Sequence, residues 1–179
     1  MRGSNLGTSR SAMGLVIVGL MVGALNAADW PRFRGPNGTG VSPDAVPNEW
    51  GPEKNVKWSI DLPGRGVSSP IVVGEKVFVT CYSGYGVERG TGRLEDLKRH
   101  LLCVDRTNGE VLWEQKVDAV LPEDEFEGAG VPAHGYASHT PVSDGERVYV
   151  FFGKTGVLAF DLEGNKLWQT SVGTESGQQ

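Results

Sequence analysis

Reactive and metal-ligating side chains are scarce in this chain of 179 residues, which holds 2 Cys, 3 His and 3 Met. Neither Cys81 nor Cys103 belongs to a CxxC pair, which leaves thiolate metal sites and dithiol redox chemistry without support. A basic patch is missing too. Lys and Arg number 17 against 22 Asp and Glu, a formal charge of −5, so a phosphate backbone is not the main partner. Long Leu/Ala/Glu/Lys-rich stretches, the composition of extended helices, are absent as well. What is plentiful is Gly, at 26, and Trp, at 5. Short strands joined by many tight turns suit that balance.

The one long apolar run is Ala12 to Leu25, preceded by Arg2 and Arg10 and followed by "NAAD". Basic start, apolar core and small residues at a polar boundary describe a secretory signal over residues 1–27, with cleavage expected after Ala27. A retained anchor is the alternative, but the run is shorter than the roughly 20 residues a span needs. The mature chain is therefore expected in the periplasm or outside the cell, without a membrane span. That compartment permits a disulfide.

The rest of the chain repeats itself. "GVSSPIVVGEKVFVT" (66–80) aligns without a gap on "ASHTPVSDGERVYVF" (137–151), and "CVDRTNGEVLW" (103–113) returns as "AFDLEGNKLW" (159–168) with one residue deleted. Two blocks recurring in one order mark a repeat architecture. Each unit reads as four strands, at 66–73, 76–82, 99–105 and 109–116, then at 137–143, 146–152, 156–161 and 165–171. Asp144-Gly145 and Glu163-Gly164-Asn165 supply the turn chemistry between them. A four-stranded antiparallel unit in tandem predicts an all-β fold, a β-propeller built of such blades.

Those two blocks resemble the tryptophan-docking motif of the pyrroloquinoline-quinone (PQQ) repeat family of β-propellers, over most of residues 56–173. The resemblance implies a small residue at Cys103 and Ala159, an Asp at Asp105 and Asp161, and a turn Gly at Gly109 and Gly164. It implies a Trp packed between neighbouring blades at Trp113 and Trp168. Trp58, in "VKWSI", falls at the same place in a lone strand, residues 56–61. The stretch "ADWPRFRGPNGTG" (28–40) resembles the start of exported propellers of this type, and Trp30 and Phe33 are expected to pack against the ring. Its Gly-rich end lacks the Lys-Ser/Thr of a phosphate loop, and no strand leads into it.

The organisation expected is a lead-in (28–55), the lone strand (56–61), a first blade (62–117), a connection (118–136) and a second blade (137–173). Residues 174–179 would begin a third. Two blades and a strand do not close a ring of about four to eight. The chain therefore reads as the N-terminal part of a longer protein, the alternative being an assembly of several short chains.

The long connections, 83–99 and 118–136, fall on one face of the blades, and elaborated loops on one face mark a binding side. Ser68, Ser69, His134, Tyr136 and His139 are the candidates there. The two histidines suit a metal or a base, but without ligand spacing they read more readily as partners of loop backbone. His100, at a strand start, reads as structural. Glu123, Asp124, Glu125 and Glu127 have the oxygens Ca²⁺ takes, but such a run is more often a solvated loop. Placing Val79 opposite Cys103 leaves Cys81 a distant diagonal neighbour, so two free thiols are expected.

No catalytic constellation is visible, which favours a binding or scaffold module for an envelope protein, peptide or glycan. The resemblance also implies an alternative, a PQQ- and Ca²⁺-dependent alcohol or sugar dehydrogenase. The adjacent Cys-Cys pair of the alcohol-oxidising members is missing here. A sensor domain finds no kinase motif or second membrane segment to support it. Outer-membrane assembly propellers share the fold but are lipoproteins, and no lipid-accepting Cys stands near Ala27.

Overall fold

The computed structural model describes residues 28–88, 90–126 and 134–175. The expected signal at 1–27, Glu127 and residues 176–179 lie outside the described residues. Eight strands follow in chain order: β1 (Ile71–Val73), β2 (Lys76–Ser83), β3 (Lys98–Asp105), β4 (Val111–Asp118), β5 (Val142–Ser143), β6 (Arg147–Phe151), β7 (Val157–Asp161) and β8 (Lys166–Thr170). They form two antiparallel sheets, β1-β2-β3-β4 and β5-β6-β7-β8, each a simple meander. The expected all-β architecture is present as two blades that do not close a ring.

Alternation in the sequence sets the faces. Along β2 Phe78, Thr80 and Tyr82 point one way, while Val77, Val79 and Cys81 point the other. Ile71, Val73, Phe78, Leu101 and Cys103 meet Val148, Val150, Phe152, Leu158 and Phe160 between the sheets. At about 1.5–3 kcal/mol for each large apolar side chain removed from water, this shared layer holds the blades together. On the far face of the first blade, Trp58, Ile60 and Leu62 pack over Cys81, Leu102 and Val104. Residues 56–60 are not in any strand pairing among the described residues, so their side chains anchor them there.

The innermost strands are shorter than the periodicity predicts. Pro70 and Pro141 have no N–H to give a ladder, so β1 and β5 begin after them. Cross-blade bonds serve the residues upstream: Val67 N–H donates to the Ala137 carbonyl at 3.2 Å and Ser69 N–H to Thr140 Oγ1 at 3.0 Å. The lead-in adds a bridge to β1, with Trp30 and Val72 exchanging bonds of 2.8 and 3.0 Å. Phe33 departs from expectation. It is 60% exposed and does not pack on the ring.

The expected register of β3 is off by one. Phe78, not Val79, stands opposite Cys103, and Cys81 stands opposite His100. The loop between β2 and β3 is too long to fix register, so the buried face decides it, and a one-residue slip moves every side chain across the sheet. Cys81 and Cys103 therefore lie on opposite faces, both free and both 0% exposed. Burial pushes each thiol up to about 11. Neither is expected to react with a thiol-specific disulfide reagent at pH 8 while the chain is folded, and both should react in denaturant. Rapid modification of either one in the native chain would contradict this packing.

The β5–β6 turn carries a second testable feature. Asp144 accepts from Tyr149 Oη at 2.7 Å and from the N–H groups of Glu146 and Arg147 at 2.9 and 2.7 Å. The Tyr149 hydroxyl, then the two amides, hold its carboxyl down at about 2 against an ordinary 3.8. A depressed carboxyl adds stability above its unfolded value and loses it as pH falls through the folded one. This contribution should fade between pH 4 and pH 2. An NMR titration of the Asp144 side chain with a midpoint near 3.8 would overturn it.

Candidate functional site

Each blade ends in the same small machine. Asp105 Oδ1 accepts from Thr107 and Asn108 N–H at 2.6 and 3.2 Å, while Gly109 N–H returns to the Asp105 carbonyl at 2.9 Å. Asp161 repeats this with Glu163 and Asn165 N–H at 3.1 and 2.8 Å, and Gly164 N–H closes on its carbonyl at 3.1 Å. Gly109 and Gly164 take φ of 80° and 90°, a region closed to most side chains.

The indole of the preceding unit rests on each turn. Trp58 Nε1 donates to the Arg106 carbonyl at 2.9 Å, and Trp113 Nε1 donates to Leu162 at 3.0 Å. A Cβ on Gly109 would stand 2.7 Å from the Trp58 ring, and one on Gly164 the same distance from Trp113. Only glycine leaves room for either indole. Gln115 and Lys76 add bonds of 2.9 and 2.7 Å to the second turn, at Gly164 and Leu162. A register shift falls at Cys103/Val104 in one blade and Ala159/Phe160 in the other, beside the small residue opposite each Trp. Trp168 is 44% exposed, with Tyr149 beside it at 6.0 Å.

On the opposite end of the blades, the loops after β2 and β4 come together. Tyr82, Leu97, Tyr136 and Ala137 form a small core there, with Tyr85, Val87, Ala119 and Phe126 packed around it. Phe126 N–H donates to Tyr85 Oη at 3.2 Å, and Tyr136 Oη donates to the Asp124 carbonyl at 2.7 Å. Burial is the main cause that raises the Tyr136 phenol well above its ordinary value. The sequence read the acidic run here as solvated, which is wrong for its first residue. Glu123 is buried against Arg99, with side chains 4% and 3% exposed, and Asp124 pairs with Lys154 at 2.9 Å. Arg99 also donates to the Tyr136 carbonyl at 2.9 Å and to Thr155 Oγ1 at 3.4 Å, tying the loop to both blades. Sequence reading passed over Arg99 and Lys154; their one signal is a cation placed on the inward-facing parity of a strand or beside its end.

The candidates fall into separate places. His134 borders a cleft of about 360 Å³ with Leu62, Arg65, Val67, Tyr82 and Phe126. His139 and Tyr136 border a smaller one of about 140 Å³ beside Arg99 and Glu123. His139 also stacks edge-on against Phe151 at 4.6 Å, and burial, then Arg99, lowers its pKa. Ser68 lies deeper, its Oγ 2.8 Å from Thr80 Oγ1, while Ser69 is bonded through its backbone to the second blade. The two histidines thus do not converge on one centre.

A bound quinone with Ca²⁺ needs a cluster of oxygen ligands. Glu123 and Asp124 are each committed to a cation, and among the described residues no group of three or more His, Cys, Asp or Glu could hold a metal ion. The described residues therefore do not offer the oxygen cluster that a Ca²⁺-bound quinone needs. No helix among them is long and apolar enough to cross a membrane.

A search of curated proteins finds no match. A family model described as outer membrane protein assembly factor BamB matches residues 51–179, the whole of both blades. With its paired four-stranded sheets, repeated Asp–Gly turns and this match, the chain belongs to the PQQ-like repeat family of β-propellers.

Proposed function

We propose that this chain is an exported binding or scaffold module of the cell envelope that holds an extended peptide segment of a partner protein on its loop-bearing face. The observation that carries this reading is the open cleft of about 360 Å³ on that face. Leu62, Val67, Tyr82 and Phe126 give it apolar walls, and the exposed Arg65 and His134 stand at its rim. Apolar walls with few polar groups are what a small binding site needs, and a rim cation favours an acidic or C-terminal carboxylate group. The matched family's description names an outer membrane assembly factor, which supports an envelope setting and a protein partner.

Fluorescence anisotropy tests it, with labelled peptides taken from outer-membrane β-strands and carrying a free carboxylate. Binding is expected at micromolar levels, weakened at least about tenfold by Arg65→Glu, the scale of one lost charge-assisted bond. Exposed Glu49, away from the cleft, serves as the control site. Equal binding by all variants, or none by the parent chain, would refute the assignment. The dehydrogenase alternative is tested separately by titrating the quinone with Ca²⁺ and following absorbance and dye reduction. Saturable binding with dye reduction would favour it over the binding module.

A further inference from the structure

Three side chains that the repeat does not require meet on one face of the first blade. Ser83 closes β2, His100 lies in β3 and Glu114 in β4. Ser83 Oγ is 2.7 Å from His100 Nε2, and His100 Nδ1 is 2.6 Å from Glu114 Oε1. The aligned positions of the second blade are Lys154, Gly156 and Gln169. Blade stacking therefore proceeds without this arrangement.

The chemistry follows from the order of the atoms. An ionised carboxylate only accepts, so Glu114 fixes the proton on Nδ1 and leaves Nε2 to accept from the Ser83 hydroxyl. His100 is 2% exposed and its ring is held at both nitrogens, whereas Ser83 is half-buried at the strand end that opens to the loop face. Lys116 Nζ holds the other Glu114 oxygen at 3.3 Å. Lys98, the cross-strand partner of Ser83, has its ammonium group held by Asp118. A hydroxyl on an imidazole, oriented in turn by a carboxylate, is the recurrent constellation of acyl transfer on unrelated folds.

We propose that Ser83, His100 and Glu114 form an acyl-transfer site for small carboxylic esters. Ser83 Oγ attacks the carbonyl carbon as its proton passes to His100 Nε2. The bond to the leaving alcohol then breaks, and that oxygen takes the proton from Nε2. Water attacks the acyl-Ser83 ester by the same route, releasing the acid and restoring the hydroxyl. Glu114 acts as a positioning residue that offsets the charge on the imidazolium. The proposal is independent of the peptide-binding reading.

A fluorophosphonate probe on the full chain, read by peptide mass spectrometry, tests it. Label is expected at Ser83, ahead of Ser68 and Ser69, and lost in Ser83→Ala. His100→Gln should slow labelling at least about 10²-fold, the lower end of what a positioned base contributes. Glu114→Gln should slow it about tenfold without changing the half-saturating probe concentration, and Glu114→Asp should recover part of the loss. Ser83→Cys guards against a misfolded alanine variant, since Cys81 and Cys103 are both buried. Its new thiol should be alkylated by iodoacetamide at pH 7 faster than free cysteine, and slower once His100 is replaced. Labelling of Ser83 no faster than of Ser68, or a Ser83→Cys thiol that behaves like free cysteine, would overturn the proposal.

Discussion

Replacing Arg99 by methionine is expected to cost the fold about 3–5 kcal/mol, the usual result of stranding one member of a buried ion pair. Glu123 would keep its carboxylate at 4% exposure with its cation gone. The Tyr136 carbonyl would lose its donor, the Thr155 hydroxyl would keep only the Val120 N–H as a donor, and Tyr136 would lose the guanidinium 5.7 Å from its ring centre. Adding Glu123→Leu should return part of the loss, because two buried charges exchanged for apolar groups cost less than one left alone. Urea denaturation of the two variants measures this. A double variant no more stable than Arg99→Met would show that the carboxylate was not the source of the penalty. The loop face itself should respond first, since Arg99 joins the 119–136 connection to β3 and to the second blade.

The second large effect lies at the junction of the blades. Trp113→Ala should cost about 3 kcal/mol, the lower end of the range for a large aromatic, because part of the ring reaches solvent. It removes the contact with Phe78 at 5.7 Å and the bond to the Leu162 carbonyl. Gly164→Ala attacks the same junction from the other side. Its φ of 90° strains any Cβ, and that Cβ would sit 2.7 Å from the indole. Strain and overpacking of about 1–3 kcal/mol each are expected there. Gly145→Ala separates the two terms. Its φ of 95° is equally strained, but nothing lies within 4 Å of the added carbon. It should cost only the backbone share, so the excess at Gly164 measures the Trp113 contact. Equal losses at the two glycines would show that the indole does not crowd the turn.

The blade pattern was legible because it is written locally. Alternation gives β2 and β6, and Asp-x-x-x-Gly and Asp-x-x-Gly give the turns after β3 and β7, whose bonds lie within four residues. The extent of β1 and β5 was missed, although Pro70 and Pro141 held the signal. The register of Cys103 was not readable, because a loop of fourteen residues between β2 and β3 leaves it to a face buried by the other blade. The loop side was placed correctly as long connections, but its chemistry was hidden. Arg99 meets Glu123 only once both loops have folded over the blade edge. Ser83, His100 and Glu114 come from three strands, and their spacing matches no motif read along one segment.

The blades are joined by an indole seated on the next unit's glycine turn. A double-mutant cycle between Trp113→Ala and Gly164→Ala, followed by urea denaturation, tests it most directly. With the ring gone, Gly164→Ala should cost no more than Gly145→Ala, giving a coupling of at least about 1 kcal/mol between the two sites. Losses that add within about 0.5 kcal/mol would mean that Trp113 and Gly164 act independently, and the joint between the blades would have to lie elsewhere.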